Sequence, residues 1–286
     1  MNTVLASRDT TAATGAHIVR LPDGDLHVIE DGPPDAPALL LIHGNASSTA
    51  WWDRVVPTLA ARYRLIRIDL LGHGRSAKPI DEYDIPAQAR RSGAVLDHLG
   101  VARVTIVAHS MGGMVATALA EQRPDLVTAL ALIDSAPSPD AALRQALIPR
   151  LVPVPVLGQL LWRLRTDKRI RAGLATAFTR DIDLPNAVVD GVRGMTFRSF
   201  TLSPKQARRC ITARPLPDRL AVLDRPVLVV FGSDDRRVRS AAAEEYRIIP
   251  GVRIEILPGV GHTPMLEDPR RTADLLLAFL GAGVRE

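Results

Sequence analysis

Residues 104–122 read VTIVAHSMGGMVATALAEQ, and a strand pattern becomes a helix pattern there with no loop between. VTIVA is apolar or β-branched throughout, as in a strand covered on both faces. MGGMVATALAEQ has helical character and is stopped by Pro124. A chain built this way is committed to packing helices on a mostly parallel sheet. The corner residue is Ser110. A parallel strand turning straight into a helix forces its corner into a tight, strained conformation, and the residues two before and two after must be small. Here they are Ala108 and Gly112, with Gly113 beyond. This is G-x-S-x-G with alanine in the first glycine position. The corner lifts the serine hydroxyl clear of the sheet and aims the following amides at one spot, at a helix N-terminus that favours negative charge. A serine helix cap followed by packing glycines would read the same locally, so the rest of the chain has to decide.

The alternation recurs. ALLLIH (38–43), LIRID (65–69), VTIVA (104–108), ALALI (129–133), PVLVVF (226–231) and RIEIL (253–257) are short apolar runs. Helical spacing fills Trp51 to Ala61, Gln88 to Leu99, the stretch AAAEEYRII and Ala273 to Leu280. His17–Arg20 and Leu26–Glu30 flank LPDGD, whose Asp-Gly pair predicts a hairpin turn. The expected fold class is α/β, with a doubly wound, mostly parallel eight-stranded sheet. Residues 136–212 break the rhythm with Pro149, Pro153, Pro155, Pro185 and Pro204, the helix-like pieces LGQLLWRLR and KRIRAGLATAF, and no buried strand. We read 1–135 and 213–286 as one core domain and 136–212 as a helical insertion.

The bulk numbers allow this: 286 residues, 47% of them hydrophobic, can bury a sizeable core. The net charge of +5 is mostly arginine and scattered, which predicts solubility rather than a nucleic-acid partner. Cys210 is the only cysteine, so no internal disulfide forms and a reducing compartment fits. MNTVLASRDTTAATGAH lacks the apolar core of a signal peptide and is expected to fray. No run of about eighteen uncharged apolar residues occurs. The expectation is a cytoplasmic monomer or homodimer with a small-molecule substrate and no membrane contact. No H-E-x-x-H, cysteine cluster or phosphate-binding loop appears, so neither metal nor cofactor is expected.

A serine hydroxyl is a poor nucleophile near neutral pH without a base beside it. PVLVVFGSDD ends a strand with Gly232, Asp234 and Asp235, and RIEILPGVGHTPMLEDP ends the next with a glycine-rich loop carrying His262. Serine, aspartate and histidine therefore follow one another, each just past the C-terminal end of a strand, where open α/β sheets place ligands. His262 would take the Ser110 proton and return it to the leaving group, while an aspartate holds the imidazole tautomer. Asp134 in LALIDSAP also ends a strand and competes for the acid role with Asp234 and Asp235. A tetrahedral intermediate needs two amide donors. One is the Met111 amide, directly after the nucleophile; the other comes from the loop after ALLLIHG.

Five segments together resemble the α/β-hydrolase superfamily, in its group with a helical lid: HGNASSTAWW (43–52), DLLGHGRS (69–76), AHSMGG (108–113), GSDDRRV (232–238) and GHTPMLEDP (261–269). The resemblance places the lid after the sixth strand, matching 136–212. It implies Asp235 as the acid, with Asp234 capping a turn, and the Asn45 amide as the second oxyanion donor, with Ala46 as the alternative. His43 reads as a buried histidine bonded to backbone, with a direct chemical role as the lesser alternative. GHGRS reads as a structural turn around His73 tied by Ser76 or Asp69, and His109 as packing beneath the corner.

A serine at the corner excludes the dehalogenases and epoxide hydrolases of this superfamily, which use aspartate there. What remains first is hydrolysis of a carboxylic ester, lactone or thioester of a small to medium apolar molecule through an acyl-enzyme. A carbon–carbon bond hydrolase, an acyl-transfer or cyclising enzyme, and last a non-catalytic binding protein are the alternatives. The lid carries an apolar inventory, most of it for packing, and the pocket candidates are Trp51, Trp162, Phe178 and Phe197. Arg163, Arg165, Arg169 and Arg171 read as a solvated face rather than an anion site.

Overall fold

A computed structural model describes residues 15–143 and 155–282. The expectations for the N-terminal segment, Pro149 and Pro153 lie outside those residues. Eight strands form one sheet: β1 (Gly15–Val19), β2 (Leu26–Asp31), β3 (Ala38–Ile42), β4 (Arg64–Ile68), β5 (Val104–His109), β6 (Val127–Ile133), β7 (Val227–Gly232) and β8 (Arg253–Leu257). Their spatial order is β1-β2-β4-β3-β5-β6-β7-β8. The β1–β2 hairpin is antiparallel, β2 joins β4 antiparallel, and every pairing from β4 to β8 is parallel.

The apolar runs are continuous because the central strands are buried on both faces. Leu40 and Ile42 of β3, Ile106 and Ala108 of β5, Leu130 and Leu132 of β6, and Val229 and Phe231 of β7 point into one core. Their alternates Leu39, Leu41, Val107, Ala131, Ile133, Leu228 and Val230 point into the other. Helices α2 (Ile85–His98) and α3 (Met111–Gln122) contribute to the first core, and the C-terminal helix, Pro269–Ala282, to the second.

The helix expected over 51–61 is split into a 3₁₀ turn, Thr49–Trp52, and a short helix α1, Val56–Leu59. Pro57 is the reason: it has no N–H for the Asp53 carbonyl, and its ring would clash there. Between β6 and β7 lie α4 (Pro155–Arg163), α5 (Asp167–Ala175), α6 (Asn186–Arg193) and α7 (Phe197–Ala213), followed by the short helix α8 (Leu216–Leu220). α7 is longer than its sequence suggests, because Pro204 does not end it. The proline side chain lies on the exposed side, so the lost backbone bond falls toward solvent. Its start is secured by a capping box in which Thr196 accepts from the Ser199 amide at 3.0 Å.

This helical segment is stitched to the sheet's C-terminal edge. The His262 amide donates to the Ala177 carbonyl at 2.9 Å. Glu267, in helix α9 (Pro264–Glu267), accepts from the Thr179 and Arg180 amides at 2.9 and 3.1 Å and from Gly261 at 3.1 Å. Among the described residues, no helix is long and apolar enough to cross a membrane.

Candidate active site

Ser110 occupies the single-residue corner between β5 and α3 with φ 52° and ψ −119°. That left-handed φ is rare outside glycine, so the surroundings must impose it. Three bonds do so. The Ser110 amide donates to the Ile133 carbonyl at 2.8 Å, and the Ser110 carbonyl accepts from the Gly113 amide and the Ser135 hydroxyl, both at 3.0 Å. Helix α3 presses against β3 so closely that a side chain at Gly112 would strike the Ile42 and His43 carbonyls. The small-residue rule read from the sequence is therefore a backbone contact.

His262 Nε2 lies 3.0 Å from Ser110 Oγ, and His262 Nδ1 lies 2.7 Å from Asp235 Oδ2. Asp235 and His262 are both buried, whereas Ser110 is partly exposed. The other Asp235 oxygen accepts from the Arg237 and Val238 amides at 2.6 and 3.1 Å. Of the three competing aspartates, only Asp235 contacts the imidazole by a hydrogen bond. Asp234 is exposed and accepts from the Ser233 hydroxyl at 2.6 Å, as a turn residue does. Asp134 is fully buried at the end of β6, one strand away, and accepts from the Gly232 amide at 2.9 Å. Burial and the Asp235 carboxylate push its own carboxyl well above the ordinary range.

Asp134, Asp235 and His262 have potential ligand atoms within 4.8 Å of one another. The Asp235 and His262 atoms are already engaged with each other and with the serine, and Asp134 stands outside that chain of hydrogen bonds.

The loop after β3 lies over the same corner: a Cβ on Gly44 would sit 3.0 Å from Ser110 Cβ. His43 is completely buried. Its Nε2 accepts from the Leu70 amide at 3.0 Å, which leaves the proton on Nδ1 to donate to the Gly44 carbonyl at 2.7 Å. Burial holds its pKa below the usual range. A trans peptide directs its C=O and N–H in opposite senses. Fixing the Gly44 carbonyl against His43 therefore turns the Asn45 amide away from that ring. Among the described residues, neither the Asn45 nor the Met111 amide has a hydrogen-bond acceptor. Ala46 follows with φ 52°.

Two further histidines are structural. Burial and the adjacent His43 push the His73 imidazole down to about 3, and its Nδ1 lies 3.3 Å from the Leu71 carbonyl. Around it, Asp69 accepts from the Thr49 and Arg75 amides and pairs with His27 at 2.8 Å, while Ser76 donates to the Asp69 carbonyl. Both residues named for the turn tie it. His109 does more than fill space beneath the corner, because its Nε2 lies 2.8 Å from the His262 carbonyl and holds the His262 backbone. Sequence reasoning missed that bond. It also missed Glu267, although the acid in GHTPMLEDP stands close enough to the histidine to have raised the question.

Trp51 stacks on His109 with centroids 5.9 Å apart and on Phe178 at 6.3 Å, which packs an inserted-segment aromatic against a loop aromatic beside His109. Trp162 packs on the margin of the same cluster, with Phe200 at 4.4 Å and the Arg165 guanidinium 4.1 Å over its ring. Phe197 starts α7 and is half-buried. Arg171 donates to the Leu184 carbonyl and to Asn186, while Arg169 and Arg163 are exposed.

The chain as a whole is similar to known proteins. A family model described as "Alpha/beta hydrolase family" matches residues 39–275. An uncharacterised protein of Mycobacterium tuberculosis (strain ATCC 25618 / H37Rv) is 31% identical over 262 residues, covering 85% of this chain and 75% of that one. A pimeloyl-[acyl-carrier protein] methyl ester esterase of Neisseria meningitidis serogroup B (strain ATCC BAA-335 / MC58) is 30% identical over 261 residues, covering 88% and 96%. Among solved structures, a bacterial membrane phospholipase A superposes with a TM-score of 0.79 at 27% identity, over 96% of this chain and 87% of that one. With the sheet order, the serine corner and a family model spanning most of its length, the chain belongs to the alpha/beta hydrolase family.

Proposed function

We propose that this protein is a serine hydrolase of carboxylic esters, lactones or thioesters carrying a small to medium apolar group. The observation that carries the reading is the unbroken relay from Asp235 through His262 to Ser110, at 2.7 and 3.0 Å. Ser110 Oγ attacks the carbonyl carbon while His262 Nε2 takes its proton. The oxyanion is met by the Met111 and Asn45 amides. Collapse breaks the bond to the leaving group, which takes the proton back from His262, and leaves an acyl group on Ser110 Oγ. Water enters, gives its proton to His262 and attacks the same carbon. The acid departs and Ser110 recovers its hydrogen.

The segment 136–212 acts as the lid, and Trp51, Phe178, Trp162 and Phe197 shape the acyl or alcohol side of the pocket. A relative named as a methyl ester esterase supports ester chemistry for this branch. The test is a fluorophosphonate probe together with a panel of p-nitrophenyl esters of increasing chain length. Labelling of native protein with turnover of short or medium esters is the expected result. Labelling without turnover of any ester would move the assignment to carbon–carbon bond cleavage or acyl transfer. Labelling that persists in Ser110→Ala would remove Ser110 as the nucleophile.

A further inference from the structure

Asp134 is a buried carboxyl that the reaction described above does not use. It follows β6 with φ 47°, a left-handed conformation uncommon outside glycine, and its exposure is 0%. Its Oδ1 has a donor in the Gly232 amide, and its amide is engaged by the Val230 carbonyl at 2.8 Å. Its Oδ2 is buried with no partner. What faces it is acidic: the Asp235 carboxylate after β7 and, further off, the Glu267 carboxylate in α9. The cations nearby belong to others. His262 bonds to Asp235, and the half-buried Arg237 guanidinium donates to the Thr176 hydroxyl and the Gly173 carbonyl at 3.0 and 3.4 Å.

Two carboxylates cannot share a dry pocket while both are charged. Asp235 also has room for one more donor. Three N–H groups, from His262, Arg237 and Val238, occupy three of the roughly four lone-pair directions that a carboxylate offers. A proton on Asp134 Oδ2 would fill the fourth and satisfy the orphaned oxygen in the same step.

We propose that Asp134 is held as a neutral carboxylic acid that donates its proton to the Asp235 carboxylate, making it a positioning residue behind His262. The bond steadies Asp235 and draws off part of its negative charge. A carboxylate that shares a proton in this way attracts a positive charge on the neighbouring imidazole less than a lone buried aspartate would. Raised pKa agrees with this, since burial and the two carboxylates all disfavour ionisation of Asp134.

The effect on rate rests on the hydrolase reading, but the proton is a property of the folded chain and is measured without turnover. Protein labelled with ¹³C at aspartate carboxyls is followed by NMR from pH 5 to 8. One carboxyl carbon keeps the shift of a protonated acid across that range and vanishes in Asp134→Asn. If every aspartate signal is ionised at pH 7, the proposal fails whatever the enzyme does.

Kinetics of the ester reaction supply the second arm. Asp134→Asn keeps an acceptor for Gly232 and a donor for Asp235, so kcat/KM stays within about threefold and its acid limb does not move. Asp134→Val removes the donor; kcat/KM falls roughly tenfold and the acid limb moves to higher pH. An acid limb that moves to lower pH in Asp134→Asn would mean that a charge had been removed, and would overturn the proposal. A folded Asp134→Val with an unmoved limb would overturn the positioning role. Should the valine variant fail to fold, the NMR measurement on the native protein still decides.

Discussion

Gly112 stands so near Ile42 that a Cβ on it would lie 2.6 Å from the Ile42 carbonyl oxygen. Helix α3 can reach this depth only with a hydrogen there, and the depth is what sets Ser110 beneath the loop after β3. Gly112→Ala is expected to cost about 1–3 kcal/mol, as overpacking against rigid backbone does. It should also slow fluorophosphonate labelling by more than the stability loss explains. Thermal melts and labelling rates check this. An alanine variant with native melting and native labelling would show that the corner has slack.

The relay predicts an order of severity. Ser110→Ala and His262→Ala should each lower kcat by roughly 10⁴-fold or more, and combining them should add little, because the residues act as a unit. Asp235→Asn should also cost roughly 10⁴-fold through loss of the correct imidazole tautomer. Asp234→Asn, at an exposed position, should leave kcat within about twofold. Steady-state kinetics on the best ester of the panel provide the comparison.

Acid should unfold this protein early. His43, His73 and His109 are buried and held neutral, with burial the main cause in each case and His73 pushed down to about 3. The unfolded chain takes up their protons below about pH 6.5 while the native state does not, so stability falls as the pH drops through that value. The Asp134 proton, kept in the native state, offsets one of the three. His73 and His109, less that proton, make the loss on the order of 1.4 kcal/mol per pH unit between pH 6 and 5, and the lowered His43 adds to it. Urea midpoints across pH 5 to 7.5 measure it. Constant midpoints would mean that these rings can be protonated in place.

Glu267 joins the inserted segment to the histidine loop. Its carboxylate serves the Thr179, Arg180 and Gly261 amides and the Thr263 hydroxyl, at 2.9 to 3.2 Å. Glu267→Ala strands these donors and should cost about 3 kcal/mol. The His262 amide is bonded to Ala177 in the same tie, so kcat should fall as well as stability. A variant that loses stability but keeps kcat at low temperature would show that the base does not depend on this anchor.

The strands, the corner and the order of serine, aspartate and histidine were legible in the sequence because each is a local matter. A short, β-branched apolar run such as VLVVF reads as a doubly covered strand, and Ala108 and Gly112 announce the crowding that Ser110 needs. Pro57 and Pro204 show where local reading fails. One proline splits an expected helix and the other is carried inside a longer one, according to whether the lost bond falls where the chain can spare it. What only the tertiary structure decided is which atoms face each other across strands. His262, Asp235 and Asp134 sit at the ends of three adjacent strands, far apart in sequence. Their hydrogen bonds, and the unpaired oxygen of Asp134, depend on strand register and on the few ångströms by which neighbouring loops approach. Residue spacing along one chain does not contain those distances, because packing of the whole sheet sets them.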